Sequence, residues 1–199
     1  MDSDLVDAVK ALKAIFEKRF IPANFGKNDA ETVDALKTKL GLPERYASFL
    51  KEADPLDVET VTPTERVRLV PASDLLSEQN GYGSSGNGES AMPGWRDGWV
   101  LIGHSGMLGD PYFLDTNALD AEGDCPVLTA MTGTDRLEPV MCASSFATFV
   151  QILAIAMEVA EDFPDDAMDP DEEQIFREAL APRLRSVDPA AVREGHWTS

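Results

Sequence analysis

His104, Ser105 and Asp110 carry, within seven positions, the side-chain types of a nucleophilic hydrolase: a base, a hydroxyl and an orienting acid. Their spacing argues against that chemistry. Adjacent residues on a strand point to opposite faces, so His104 and Ser105 diverge, and no glycine elbow presents the serine. Asp110 and Asp115 could form an acid and base pair, but catalysis by carboxylates needs a polar pocket lined by convergent acids, and none is expected. GYGSSG (81–86) has the letters of a dinucleotide fingerprint, yet no strand enters it and no helix leaves it. The related phosphate-loop spacing puts Glu89 where a lysine must stand. DDAMDPDEE lacks the glycine of a calcium loop, and two histidines without a CxxC or HExxH pattern make a transition-metal site unexpected. No catalytic residue, cofactor or metal is therefore expected, and the chain reads as a non-enzyme.

Charge carries more information. The 199 residues bear a formal net charge of -19, and the stretch from Asp97 to Phe176 contains 17 acids and one base, Arg136. Such a field repels phosphate backbones, so nucleic-acid binding is excluded as an expectation, and it attracts a cationic protein partner. Within this stretch Asp97, Asp115, Asp120, Glu122 and Asp124 are the candidate partner contacts, with Trp95 beside them as an aromatic anchor. No apolar run has bilayer-spanning length, and the first residues carry acids where a secretory signal carries bases, so a cytoplasmic protein with no membrane segment is expected. Cys125 and Cys142 lie far from either histidine in sequence and read as small buried hydrophobes.

The elements that must position these residues follow from periodicity. Leu5, Val9, Leu12, Phe16 and Phe20 form one stripe of a helix entered through Ser3. A second helix runs over 30–40, capped by Asn28 or Asp29 and stopped by Gly41, and a third begins at Pro43 and is blocked by Pro55. ERVRLVP reads as a strand followed by a short helix, and NGYGSSGNGESAMPG as a mobile surface loop. GWVLIGH, PYFLDT, CPVLTAM and EPVMCAS are four strands of an antiparallel meander. SGMLGD joins the first two as a hairpin turn, with Gly106 and Gly109 free to take positive φ and Asp110 bonding the turn backbone. SSFATFVQILAIAMEVAED is the strongest helix. A further helix starts at Asp169 and Pro170, and Pro182 should kink or end it.

In this order the features resemble the SUKH superfamily, which includes fungal Smi/Knr-type cell-wall regulators and many bacterial proteins. GLPERYASFL looks like its leucine-proline helix start, VRLVPASDLL like its strand and short helix, GWVLIGHSGMLGDPYFLD like its central strand pair, and ASSFATFVQIL like its closing helix. The similarity spans about residues 30 to 162. EADPLDVETVTPTE stands where the family often has an Asn-Gly, and the segment after Phe163 lies outside the common pattern. The resemblance implies an α+β fold with a mixed, largely antiparallel sheet and helices packed beside it. It divides the chain into one domain over 1–163, with 1–29 as an N-terminal helix, and a helical extension over 164–199. It supplies no catalytic residues. Bacterial members are widely viewed as immunity proteins that neutralise toxins, often nucleases, so the expected function is neutralisation of a cationic toxin. A regulatory or scaffold protein of Smi/Knr type is the alternative.

Overall fold

A computed structural model describes residues 1–83, 92–133, 135–164 and 169–199. The expected mobile loop falls largely outside the described residues, as does the start of the acidic run after Phe163. The protein is α+β. Six strands, β3 (Glu59–Val61), β4 (Arg66–Leu69), β5 (Trp99–Ser105), β6 (Pro111–Asp115), β7 (Val127–Thr129) and β8 (Val140–Ala143), pair in sequence order. Every pairing in this sheet is antiparallel, because each strand is joined to its neighbour in sequence and none needs a parallel crossover. The parallel component of a mixed sheet is absent among the named strands.

Three short strands were not legible from periodicity, β3 and two more outside the sheet. β1 (Asn24–Gly26) pairs with β2 (Asp54–Asp57) as a separate ribbon. Pro55 sits in that ribbon, immediately after α3 (Glu44–Ala53), which ends where the proline requires.

The helices bury the sheet on one side. α1 (Ser3–Lys18) lies along α5 (Phe146–Val159), α6 (Pro170–Val187) packs on α5, and α7 (Pro189–Glu194) returns to β8. α2 (Ala30–Leu40) begins with Asp29 accepting the Thr32 N–H and stops at Gly41, whose φ of 66° is left-handed. α4 (Leu75–Glu78) is the short helix expected after β4. α5 starts at Ser145, which accepts the Thr148 N–H, and nine of its residues are buried.

β5 and β6 alternate between two apolar layers. Val100, Ile102, Tyr112 and Leu114 join the main core under the helices, while Trp99 and Phe113 join a second, smaller core with Ala130 and Leu137 on the opposite face. Burial on both faces explains why these strands read as nearly continuous apolar runs.

Three local expectations change. α1 has Asp2, not Ser3, at its cap position, and no side chain caps it, because the Asp2 carboxylate is drawn to Arg45. In the β5–β6 turn only Gly109 has positive φ (75°). A Cβ at Gly106 would press on the Glu59 carboxylate, the far end of a flexible side chain, and on Arg66 Cβ at 3.0 Å. The turn amides of Met107 and Leu108 donate to Ser105 Oγ, and Asp110 reaches away to Thr132. Finally, α6 continues through Pro182 to Val187. Phe176, Leu180 and Leu184 are buried on both sides of the proline, and that burial outweighs an interior proline's cost of about 3 kcal/mol.

Candidate functional site

Four of the five acids singled out from the sequence gather at one end of the sheet. Asp115 ends β6 opposite Trp99, the first residue of β5, and Asp97 lies two residues before Trp99. The chain after β6 is stitched to that end: Asn117 Nδ2 donates to the Asp97 carbonyl at 2.7 Å, and the Thr116 hydroxyl donates to the Gly98 carbonyl at 2.7 Å. Asp120 then orders the next turn, its Oδ1 accepting the Glu122 and Asp124 N–H groups at 2.8 and 2.9 Å. Asp97, Asp120 and Glu122 are exposed, and Asp115 is half-buried, accepting the Asn117 N–H.

Asp124 does not belong to the surface. It is 0 % exposed and accepts the N–H groups of Phe146 and Ala147, at 2.9 and 3.1 Å, in the first turn of α5. It also bonds its neighbour's amide, Cys125 N–H. The positive end of a helix that arrives 22 residues later in the chain holds this carboxylate inside. As a partner contact Asp124 is therefore corrected to a structural anchor.

Arg45, 7 % exposed on α3, closes the arrangement. Its guanidinium reaches Asp2 at 3.0 Å, Asp4 at 2.8 Å, Glu122 at 2.6 Å and Asp124 at 3.4 Å. One guanidinium thus joins the start of α1, the start of α3, the 120–124 turn and the start of α5, and four carboxylates share its single charge. The exposed carboxylates of Asp2 and Asp4 thus meet Glu122, two residues from Asp120 in the same turn, and the acidic end draws on two distant parts of the chain. Sequence reasoning missed Asp2, Asp4 and Arg45, which lie outside the acid-rich stretch.

Trp95 turns inward. Its ring lies 5.0 Å from Phe113, 5.6 Å from Trp99 and 4.9 Å from Tyr82, which makes it the lid of the second core, half-buried. Arg96 stacks over Trp99 at 5.2 Å and is the nearest base in sequence to Asp97. Cys125 and Cys142 are both buried and free. Burial, with Asp124, Asp115 and Asp120 nearby, pushes the Cys125 thiol up to about 12, so it is an inert thiol at neutral pH.

The trio His104, Ser105 and Asp110 separates as the strand geometry requires. His104 Nε2 meets Glu78 at 3.0 Å on one face, and Ser105 donates to Glu65 Oε1 at 2.8 Å on the other. The Ser105 side does lead to a polar pocket containing convergent acids, contrary to expectation. Glu65 and Asp110 line it together with His196, which lies 3.0 Å from the Tyr112 hydroxyl. Burial, aided by the nearby Arg177 charge, lowers His196 to about 4. The unfolded chain takes up this proton near pH 6.5 and the folded chain resists it, so the stability from neutral His196 is complete above 6.5 and is lost as pH falls toward 4. Thermal melts of His196→Phe should therefore lose less stability than the native chain between pH 6.5 and 4, although the variant starts lower at pH 7 for want of the Tyr112 hydrogen bond.

The chain matches no family model and no curated protein. Among the described residues, no helix is long and apolar enough to cross a membrane.

Proposed function

We propose that this chain is a non-catalytic protein-binding module of SUKH type, an immunity protein that neutralises a cationic toxin, such as a nuclease, in the cytoplasm. The observation that carries this reading is the clustering of Asp97, Asp120, Glu122, Asp2 and Asp4 at one end of the molecule, with Arg45 buried among them and Arg96 stacked on a tryptophan. An acidic surface of this kind complements the basic face with which a nuclease grips phosphate, speeds encounter and repels nucleic acid itself. The ordered 115–124 turns matter too, since a preorganised contact loop loses little entropy on docking.

One observation favours a regulatory or scaffold protein of Smi/Knr type instead: Arg45 already neutralises part of this charge, so the 120–124 turn has an internal role that needs no partner. Affinity capture from the native host, with elution compared at about 50 mM and about 500 mM salt, separates the two. Acid-driven docking weakens steeply once the screening length falls below about 10 Å. The immunity reading expects a basic toxin released by salt, and cells expressing that toxin should survive when this chain is co-expressed. A neutral housekeeping partner retained at high salt would overturn it.

A further inference from the structure

At the other end of β5 and β6, roughly 20 Å from the acidic end by strand length, lies a cavity of about 750 Å³. It is bounded by the β5–β6 turn, the ends of β7 and β8, α6 and the residues after α7. That volume suits a small organic ligand. Glu65, Asp110, Asp135, Glu138 and Glu194 line it, and the first two are held by the residues around the β5–β6 turn. Glu65 Oε1 accepts the Ser105 hydroxyl at 2.8 Å and the Arg66 N–H at 2.8 Å, and the Asp110 carbonyl accepts the Ser105 N–H at 2.8 Å. The Asp110 carboxylate is fixed in turn by Thr132, whose N–H and hydroxyl donate to Oδ1 at 2.7 and 2.8 Å. Among the described residues, no base stands within ion-pair distance of either carboxylate.

Part of the wall is apolar. Buried Trp197 and Ala130 line the inside, while Leu108 and Met131, 71 % and 66 % exposed, line the mouth. Large apolar side chains held in water at the rim of a cavity are surface that a bound apolar group would cover.

We propose that this cavity binds a small amphipathic amine, its ammonium between Glu65 and Asp110 and its apolar body against Leu108, Met131 and Trp197. Two neighbouring carboxylates in a partly desolvated cavity repel one another, and a single cation between them relieves that repulsion. Burial and the nearby Asp110 charge hold the Glu65 carboxyl above the usual range, the behaviour of an acid that lacks a counter-charge. Arg177 on the α6 wall, beside His196, and Arg136 oppose a cation there and are the reason an anionic ligand must be tested. The site stands apart from the acidic end and does not depend on the immunity reading.

Calorimetry and two-dimensional NMR with phenethylamine, phenethyl alcohol and phenylacetate decide the matter, because the three differ chiefly in the charge of the polar head. Phenethylamine should move the Trp197 indole and Thr129 amide resonances and bind at least tenfold more tightly than the alcohol. Glu65→Gln, which keeps the Ser105 acceptor, should remove most of that tenfold preference and leave the alcohol unchanged. Should E65Q fail to fold, the three-ligand comparison on the native chain still decides. Equal binding of amine and alcohol, tighter binding of phenylacetate, or no response at Trp197 to any of the three would overturn the proposal.

Discussion

Asp124→Ala should lower the free energy of unfolding by about 3–5 kcal/mol, the cost of removing one member of a buried ion pair. The loss has two sources. Arg45 would keep its partners at Asp2, Asp4 and Glu122 but lose the one that is wholly shielded from water. The Phe146 and Ala147 N–H groups, buried at the start of α5, would be left without their acceptor, and each unsatisfied buried donor costs about 1–3 kcal/mol. Asp124→Asn keeps the shape and one acceptor but no charge, so it should fall between. Asp4→Ala, at an exposed carboxylate of the same network, should cost less than about 1 kcal/mol. Urea unfolding of the three variants measures the series. If D124A proved as mild as D4A, Asp124 would be a surface charge after all.

The second large effect is expected at Trp197. Trp197→Ala should destabilise the fold by about 3–5 kcal/mol through the cavity it leaves, with about 1 kcal/mol more for its hydrogen bond. Trp197 is buried near Tyr112 and Phe149, and its Nε1 donates to the Cys142 carbonyl at 2.8 Å in β8. Phe176, Leu180, Leu184 and Ala191 belong to the same continuous core. Asp188 clasps the joint, accepting the Ser144 N–H at 2.6 Å and the Ala191 N–H at 3.0 Å. The segment after Phe163 is thus an integral wall of the domain. Unfolding of W197A should stay a single transition at lower denaturant, followed by circular dichroism. A separate early transition confined to helix signal would mean that the segment is an appendage.

These two residues also mark where sequence reasoning reached and where it stopped. β5 to β8 and α5 were legible because they are deeply buried, which forces continuous apolar runs or a clean helical period. The cap at Asp169 was legible, and that at Asp29 as one of two neighbours, because capping is decided within four residues. β1, β2 and β3 have three or four residues each, too few to display a period. α6 does not end at Pro182, whose local penalty is visible in the sequence while the burial of Phe176, Leu180 and Leu184 is not. Asp124 resembles Asp120 and Glu122 as a loop acid, and only the arrival of α5 separates them. Glu65 and Asp110 lie 45 positions apart in sequence, so the pocket they share follows only from strand register and from the return of α6 and the residues after α7.

The central claim is that the acidic end grips a cationic partner. Its most direct test is the affinity of the captured basic partner for two charge-reversed chains. One carries Asp97→Lys and Asp120→Lys at that end. The other carries Glu31→Lys and Asp57→Lys near the far end of α3, whose last residue, Ala53, is about 12 Å from Arg45 by helix rise. All four positions are exposed, and the second pair should keep its fold within about 1 kcal/mol. The first also loses the Asp120 acceptor of the Glu122 and Asp124 N–H groups, at about 1–3 kcal/mol, so Asp97→Lys alone is measured beside it. The first pair should weaken binding by at least tenfold, mainly through slower association, and the second by less than threefold. Equal losses in both chains would contradict the claim, since only the net charge would then matter and not where it is held.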